Sequence, residues 1–198
     1  MTTINGIRYS IIDATTARVG DGSTNKPNGV SSGFSGEVNI LSKVSINGKN
    51  YDVTEIGEDS INGASQVTKI RIPNTIKTLK ENCFTNLDLV KSIVIPASVT
   101  AVESWFISNM GPENITFLGK KEPKMINTDG AGYISAQFKG KVSVPLGYEP
   151  GKTTFLLREI NRTKLIDPTA KNKKTYYIHR MGVFYVSNFI LVILIAVK

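Results

Sequence analysis

Apolar positions recur at a fixed interval from Val53 to about Leu118. Val53-Thr54-Glu55-Ile56 overlays Ile76-Lys77-Thr78-Leu79 and then Val99-Thr100-Ala101-Val102, each step 23 residues long. Within each unit, Ile70-Arg71-Ile72-Pro73 falls on Ile93-Val94-Ile95-Pro96 at the same interval, and a third copy, Ile115-Thr116-Phe117, arrives one residue early and without its proline. Ile61, Phe84 and Ile107 repeat at 23 residues as well, with Asn62-Gly63 and Asn86 beside them as bend formers. A period of this size is the mark of a solenoid, in which each unit buries its apolar face only by stacking on its neighbours. Alternation places both isoleucines of Ile-x-Ile on one face of a strand, and the proline that follows ends the strand because it has no N–H to donate.

The chain before the repeats reads as β. Ile4 to Ile11 alternates around Asn5-Gly6, and Ala17-Arg18-Val19 is its predicted partner. Phe34 to Ile40 and Lys43 to Val53 predict a second pair of strands, and Asn47-Gly48 is a strong hairpin signal because both residues tolerate positive φ. Together these segments predict a β cap over residues 1–52 that covers the apolar end of the first repeat. The stretch from Gly20 to Gly29, rich in turn formers, reads as a mobile, solvated loop.

In order, Val-Thr-x-Ile-Gly (Val53 to Gly57), an aromatic before a bend (Phe84) and Leu/Val-x-x-Ile-x-Ile-Pro resemble BspA-type leucine-rich repeats. The front end is similar to the same family in Asn5-Gly6-Ile7-Arg8-Tyr9, Ala17-Arg18-Val19, Gly36 to Ile40 and Asn47 to Val53. Lys141-Val142-Ser143-Val144-Pro145 is similar to a closing strand of such arrays. The resemblance covers roughly residues 4 to 157. It implies a leucine-rich repeat solenoid of short parallel β-strands with irregular or short helical outer turns. It also implies presentation at the surface of anaerobic bacteria or mucosal protists, and adhesion to host proteins or to other cells.

Charge changes this picture little. The net charge is +8. From Arg158 to Lys198 there are eight basic and two acidic residues, a net of +6, which leaves the first 157 residues at +2. The basic excess belongs to the tail, so an overall pI near 9.5 does not make the repeat body a nucleic-acid binder. The tail divides into a polar, basic linker, 158–180, and an apolar segment, 181–198, ending in Phe189-Ile190-Leu191-Val192-Ile193-Leu194-Ile195-Ala196-Val197. That segment barely reaches the roughly 17-residue floor for a bilayer-spanning helix and is a candidate membrane anchor. A strand packed into protein is the alternative, since Val and Ile also suit sheets. Lys171, Lys173, Lys174 and Arg180 form a candidate lipid-proximal basic cluster. By the positive-inside rule, basic residues on that side would hold the body in the cytoplasm, against a surface role. Residues 1–6 carry no readable secretory signal.

Chemistry-bearing patterns are sparse. Cys83 is the single cysteine, so no intrachain disulfide forms; it sits in the slot of Ser60 and Phe106 and reads as a small half-buried side chain. His179 is the single histidine and cannot by itself anchor a typical zinc site or a triad. Glu58-Asp59 reads as a solvent-facing turn pair. Gly147-Tyr148-Glu149-Pro150-Gly151-Lys152-Thr153 imitates a phosphate loop but has three residues between its glycines instead of four, one of them a proline without an N–H. The two Asn-x-Thr triplets, at Asn114 and Asn161, are as frequent as chance allows.

The chain is therefore expected to be a non-enzymatic protein-binding or adhesion module with no metal and no cofactor, its solenoid spanning 53–157. Its partner would be a host or neighbouring-cell protein, with membrane contact through 181–198 and no nucleic acid. The alternative is a structural component whose apolar tail packs into a partner chain. Lys69, Arg71, Ser92 and Val94 point away from the core by alternation and form the candidate ligand face, a rigid grid that loses little entropy on binding.

Overall fold

A computed structural model describes residues 1–23, 28–109, 113–126, 140–146 and 148–149, together with the backbone of four short strands between 164 and 190. Among the described residues all regular structure is β, and the outer turns are bends without helix. The front of the chain is antiparallel. β1 (Thr2–Ile4) turns at Asn5-Gly6 into β2 (Ile7–Ile11), which pairs with β3 (Thr16–Val19). β4 (Ser35–Asn39) follows, and then β5 (Lys43–Ile46) and β6 (Lys49–Ile56) form a hairpin around Asn47-Gly48. Both turn asparagines lie at positive φ, 51° for Asn5 and 53° for Asn47, the geometry that Asn-Gly hairpins need.

From β6 onward the chain climbs in parallel coils. The first ladder runs β3-β6-β8-β11-β14, with β8 at Thr78–Leu79, β11 at Ala101–Val102 and β14 at Lys124–Met125. Its register aligns Ile56, Leu79, Val102 and Met125, which repeats the 23-residue step three times. The second ladder holds the Ile-x-Ile segments. β7 (Gln66–Arg71) pairs in parallel with β4, and β10 (Ser92–Ile95) pairs with β13 (Asn114–Phe117), which pairs with β15 (Lys141–Pro145). Ser92 meets Asn114 and Asn114 meets Lys141, so the early third copy is absorbed as a 22-residue coil and the next coil takes 27. The third ladder lies at the outer bend, where β9 (Phe84–Thr85) pairs with β12 (Ile107–Ser108). Ile61 and Gly63 of the preceding coil donate their N–H groups to the carbonyls of Cys83 and Thr85, at 3.2 and 3.0 Å, and extend that ladder backwards.

One row of each ladder points inward. Val53, Ile56, Ile76, Leu79, Val99 and Val102 from the first side, Ile93, Ile95, Ile115, Phe117, Val142 and Val144 from the second, and Ile61, Phe84 and Ile107 from the third are all buried in one continuous core. Burying a side chain of the Phe84 class contributes roughly 1.5–3 kcal/mol. Parallel strands buried this way are held by neighbours in the stack and not by contacts distant in sequence.

Four expectations are corrected. β4 does not pair with β5; it joins β7 in parallel, so Ser35–Asn39 acts as the first Ile-x-Ile strand, with a bulge between Gly36 and Glu37. The segment from Gly20 is not solvated at its far end. Asn28 is buried, Gly29 and Val30 donate to the Ser60 carbonyl at 3.0 and 2.8 Å, and Val30 bridges Ile7. A Cβ on Gly29 would lie 2.8 Å from both the Ser60 Cβ and its carbonyl, which is why glycine stands there. Cys83 is fully buried, not half-buried, and Asp59 is buried, not solvent-facing, because its side chain turns in to accept from Asn62 Nδ2 at 2.7 Å.

The strand expected to close the array is present as β15, but its ladder continues. β16 (Lys164–Ile166) pairs with it in parallel and β17 (Thr175–Tyr177) pairs antiparallel beyond that. Within the apolar segment, β18 (Tyr185–Val186) and β19 (Phe189–Ile190) pair antiparallel. No helix among the described residues is long and apolar enough to cross a membrane.

Candidate functional site

The second ladder presents the predicted face. Lys69, Arg71, Ser92 and Val94 are all exposed, on β7 and on β10 beside it. What the sequence reading missed is Glu37, brought opposite Lys69 by the β4–β7 register. Arg71 grips Glu37 with two guanidinium nitrogens, Nε on one carboxylate oxygen and Nη2 on the other at 3.3 Å, and Lys69 Nζ lies 4.0 Å from the second oxygen. The hydrogen bond from Arg71 comes first in holding the Glu37 carboxyl below the usual carboxylate range, and the charges of Arg71 and Lys69 add to it. The basic pair is thus a three-member charge cluster. Val94 continues a row with Thr116 and Ser143, of which Ser143 is buried, so the open part of this face lies toward β7 and β10.

A second charged group flanks the first ladder. Arg18 Nη1 lies 3.4 Å from Glu55 Oε1, and Lys80 Nζ meets Glu103 Oε1, while Glu103 Oε2 accepts from the Glu81 N–H at 3.1 Å. Burial pushes the Glu55 carboxyl up; Arg18 and Lys80 pull it back and Glu103 adds to the rise. Burial likewise pushes the Cys83 thiol well up, which removes thiolate character from the single cysteine.

The outer bend carries a ladder of carboxamides. Asn86 Nδ2 donates to Asn62 Oδ1 at 2.7 Å, Asn109 Nδ2 donates to Asn86 Oδ1, and Asn62 Nδ2 closes on Asp59. Beside it the Thr85 and Ser108 hydroxyls are 2.8 Å apart, and Ser108 Oγ donates to Asn82 Oδ1 at 3.1 Å. The 23-residue spacing of Asn86 and Asn109 was a signal available in the sequence. Among the described residues no group of three His, Cys, Asp or Glu could hold a metal ion. The basic cluster Lys171, Lys173, Lys174 and Arg180 lies outside the described residues, as do Gly147 and the stretch from Pro150 to Thr153 of the phosphate-loop imitation.

Short parallel strands stacked at a 23-residue step, with buried isoleucine rows and an amide ladder at the bend, define a leucine-rich repeat solenoid. Residues 31–124 match the BspA type leucine rich repeat region in six copies. Repeats of this kind typically take part in protein interaction and are generally non-catalytic. The structure is similar to a leucine-rich repeat protein from Bacteroides ovatus ATCC 8483, with 17% identity, 75% of this chain covered and a TM-score of 0.44. The match takes in 52% of that protein, so this chain spans about half its length. No curated protein matches.

Proposed function

We propose that the chain is a non-catalytic protein-binding module of a surface-associated, BspA-like protein, and that it adheres to a host or neighbouring-cell protein. The observation that supports this reading is the exposed, regularly spaced row of Lys69, Arg71, Ser92 and Val94 on a rigid ladder, in a repeat class whose usual work is protein interaction. The Glu37 clamp pre-orders the Arg71 and Lys69 side chains, which lowers the entropy cost of a partner's approach. Ser92 and Val94 supply a small uncharged patch beside them. The apolar segment 181–198 is proposed as the attachment, either in a membrane or, in the second reading, in a partner chain; the β18–β19 pairing favours the latter.

Two experiments test this. Immobilised host extracellular proteins are titrated with the wild-type chain and with a K69A/R71A/V94D variant, whose positions are exposed and leave the core intact. Loss of binding with an unchanged circular dichroism spectrum supports the face, and equal binding refutes it. Alkaline wash of membranes carrying the full chain or a version ending at Glu159 tests attachment. Retention of the full chain alone supports a membrane anchor, and release of both removes it.

A further inference from the structure

The outward side of the second ladder carries a chemical pattern along the stack. In the register Ser92 meets Asn114 and Asn114 meets Lys141, while Lys69 stands one 23-residue step before Ser92 on the neighbouring β7. One row therefore reads Lys-Ser-Asn-Lys, and all four residues are exposed. Arg71 flanks the first lysine, and Lys91, also exposed, precedes Ser92. To one side of this row Val94 is 47% exposed, and Leu118, two residues beyond the register partner of Val94, is 44% exposed.

The carboxylates of this face do not cancel its cations. Glu37 is gripped by Arg71 with Lys69 close by, which leaves that group at a net +1. Glu113 is the other carboxylate at this edge, and neither it nor Lys91 nor Lys141 makes an ion pair among the described residues. Four cations against two carboxylates leave +2, so the charge of the face suits an acidic partner.

Spacing says which acidic partner fits. Parallel strands lie about 4.8 Å apart, so Lys69 and Lys141, three steps apart, stand about 14 Å from each other. An extended chain advances about 3.4 Å per residue and sends alternate side chains to opposite sides, so its residues i and i+4 span the same distance of about 14 Å. Laid along the stack, such a segment sets the side chains of one side against the two lysines and those of the other toward Val94 and Leu118. Between the lysines, Ser92 and Asn114 offer neutral donors and acceptors to its backbone. A plain polyanion would leave the two aliphatic side chains unused.

We propose that this face takes an extended segment of its partner protein in which acidic and aliphatic residues alternate, the carboxylates on Lys69, Arg71 and Lys141 and the aliphatic side chains on Val94 and Leu118. The inference rests on the protein-binding reading and gives the partner its chemistry.

The full chain is titrated by calorimetry with three synthetic peptides of one length, in which glutamate alternates with leucine, glutamate with serine, or lysine with leucine. The Glu-Leu peptide should bind saturably, and more weakly as salt is raised, because exposed charges are screened over about 10 Å at 0.1 M. The Glu-Ser peptide should bind about tenfold more weakly, since it buries no apolar side chain, and the Lys-Leu peptide should not bind. K69E/K141E should lose the Glu-Leu peptide and acquire the Lys-Leu peptide, a reversal that an unfolded variant could not show. V94D should bring Glu-Leu binding down to the level of the Glu-Ser peptide. The absence of saturable Glu-Leu binding, or equal Glu-Leu binding by K69E/K141E, overturns the proposal. So does a Glu-Ser peptide that binds as tightly as Glu-Leu alongside dextran sulfate, which would make the face a general polyanion surface. If host proteins still bind through the face after any of those results, the protein-binding reading stands without this inference. Glu-Leu binding with no host protein bound upholds the chemistry of the face and removes the adhesion reading.

Discussion

Asn86 separates two roles that the bend demands of one residue. Its backbone stands at φ 55°, where the equivalent residue of the preceding coil is Gly63 at φ 79°. Its side chain donates to Asn62 Oδ1 at 2.7 Å and accepts from Asn109 Nδ2. Asn86→Gly removes the ladder rung and keeps the backbone free. At about 0.5–1.5 kcal/mol net for each of two neutral hydrogen bonds, it should cost about 2 kcal/mol. Asn86→Ala removes the same rung and keeps a Cβ in the left-handed region without the short polar side chain by which Asn tolerates it, so it should cost about 1–2 kcal/mol more than Asn86→Gly. Its total of about 3–4 kcal/mol corresponds to roughly 6–16 °C in Tm for a chain of this size. Urea denaturation with equal m-values and calorimetric Tm should rank wild type above Asn86→Gly above Asn86→Ala. If Gly and Ala are equally destabilising, the conformational argument fails. If Asn86→Gly costs less than about 0.5 kcal/mol, the ladder contributes nothing beyond what water supplies.

Further outcomes follow from the same geometry. Burial raises the Glu55 carboxyl, so the folded state holds its proton more tightly than the unfolded chain; the group costs nothing below the unfolded value near 4.5 and costs stability as pH rises through the folded value. Glu55→Gln should therefore raise stability at pH 7, with the gain vanishing toward pH 4 in a series of denaturant titrations. Gly57→Ala would set a Cβ 2.7 Å from the Val19 carbonyl, to which the Gly57 N–H already donates at 3.0 Å. A loss of about 1–3 kcal/mol is expected, and an unchanged Tm would show that β3 can withdraw. Cys83 is buried with its Sγ 3.6 Å from the Phe106 carbonyl, so a disulfide-exchange reagent should modify it only at the rate of local opening and stoichiometrically after unfolding.

The repeat was legible because a solenoid writes its contacts into the chain at a constant interval. Each inward position of one coil rests on the same position of the next, so Ile56, Leu79 and Val102 could be aligned by counting, and the register confirms the alignment. The hairpins at Asn5-Gly6 and Asn47-Gly48 were legible for a local reason, since the turn residues themselves dictate the backbone. Outward exposure of Lys69, Arg71, Ser92 and Val94 followed from alternation alone.

Other features depended on what the coils bring together. Ser35–Asn39 has no 23-residue counterpart before Gln66, since the step from Ser35 to Gln66 is 31, and only the closed stack made it a partner of β7 and delivered Glu37 to Arg71. Asn28 and Gly29 look like solvent-exposed turn residues until the loop folds back on Ser60. The sequence by itself determined the period, the inward rows and the local turns, because these rest on interactions between neighbours and between successive coils. The tertiary structure alone decided the partners of irregular segments and the conformation of single bend residues, because both depend on atoms that no fixed interval in the chain connects.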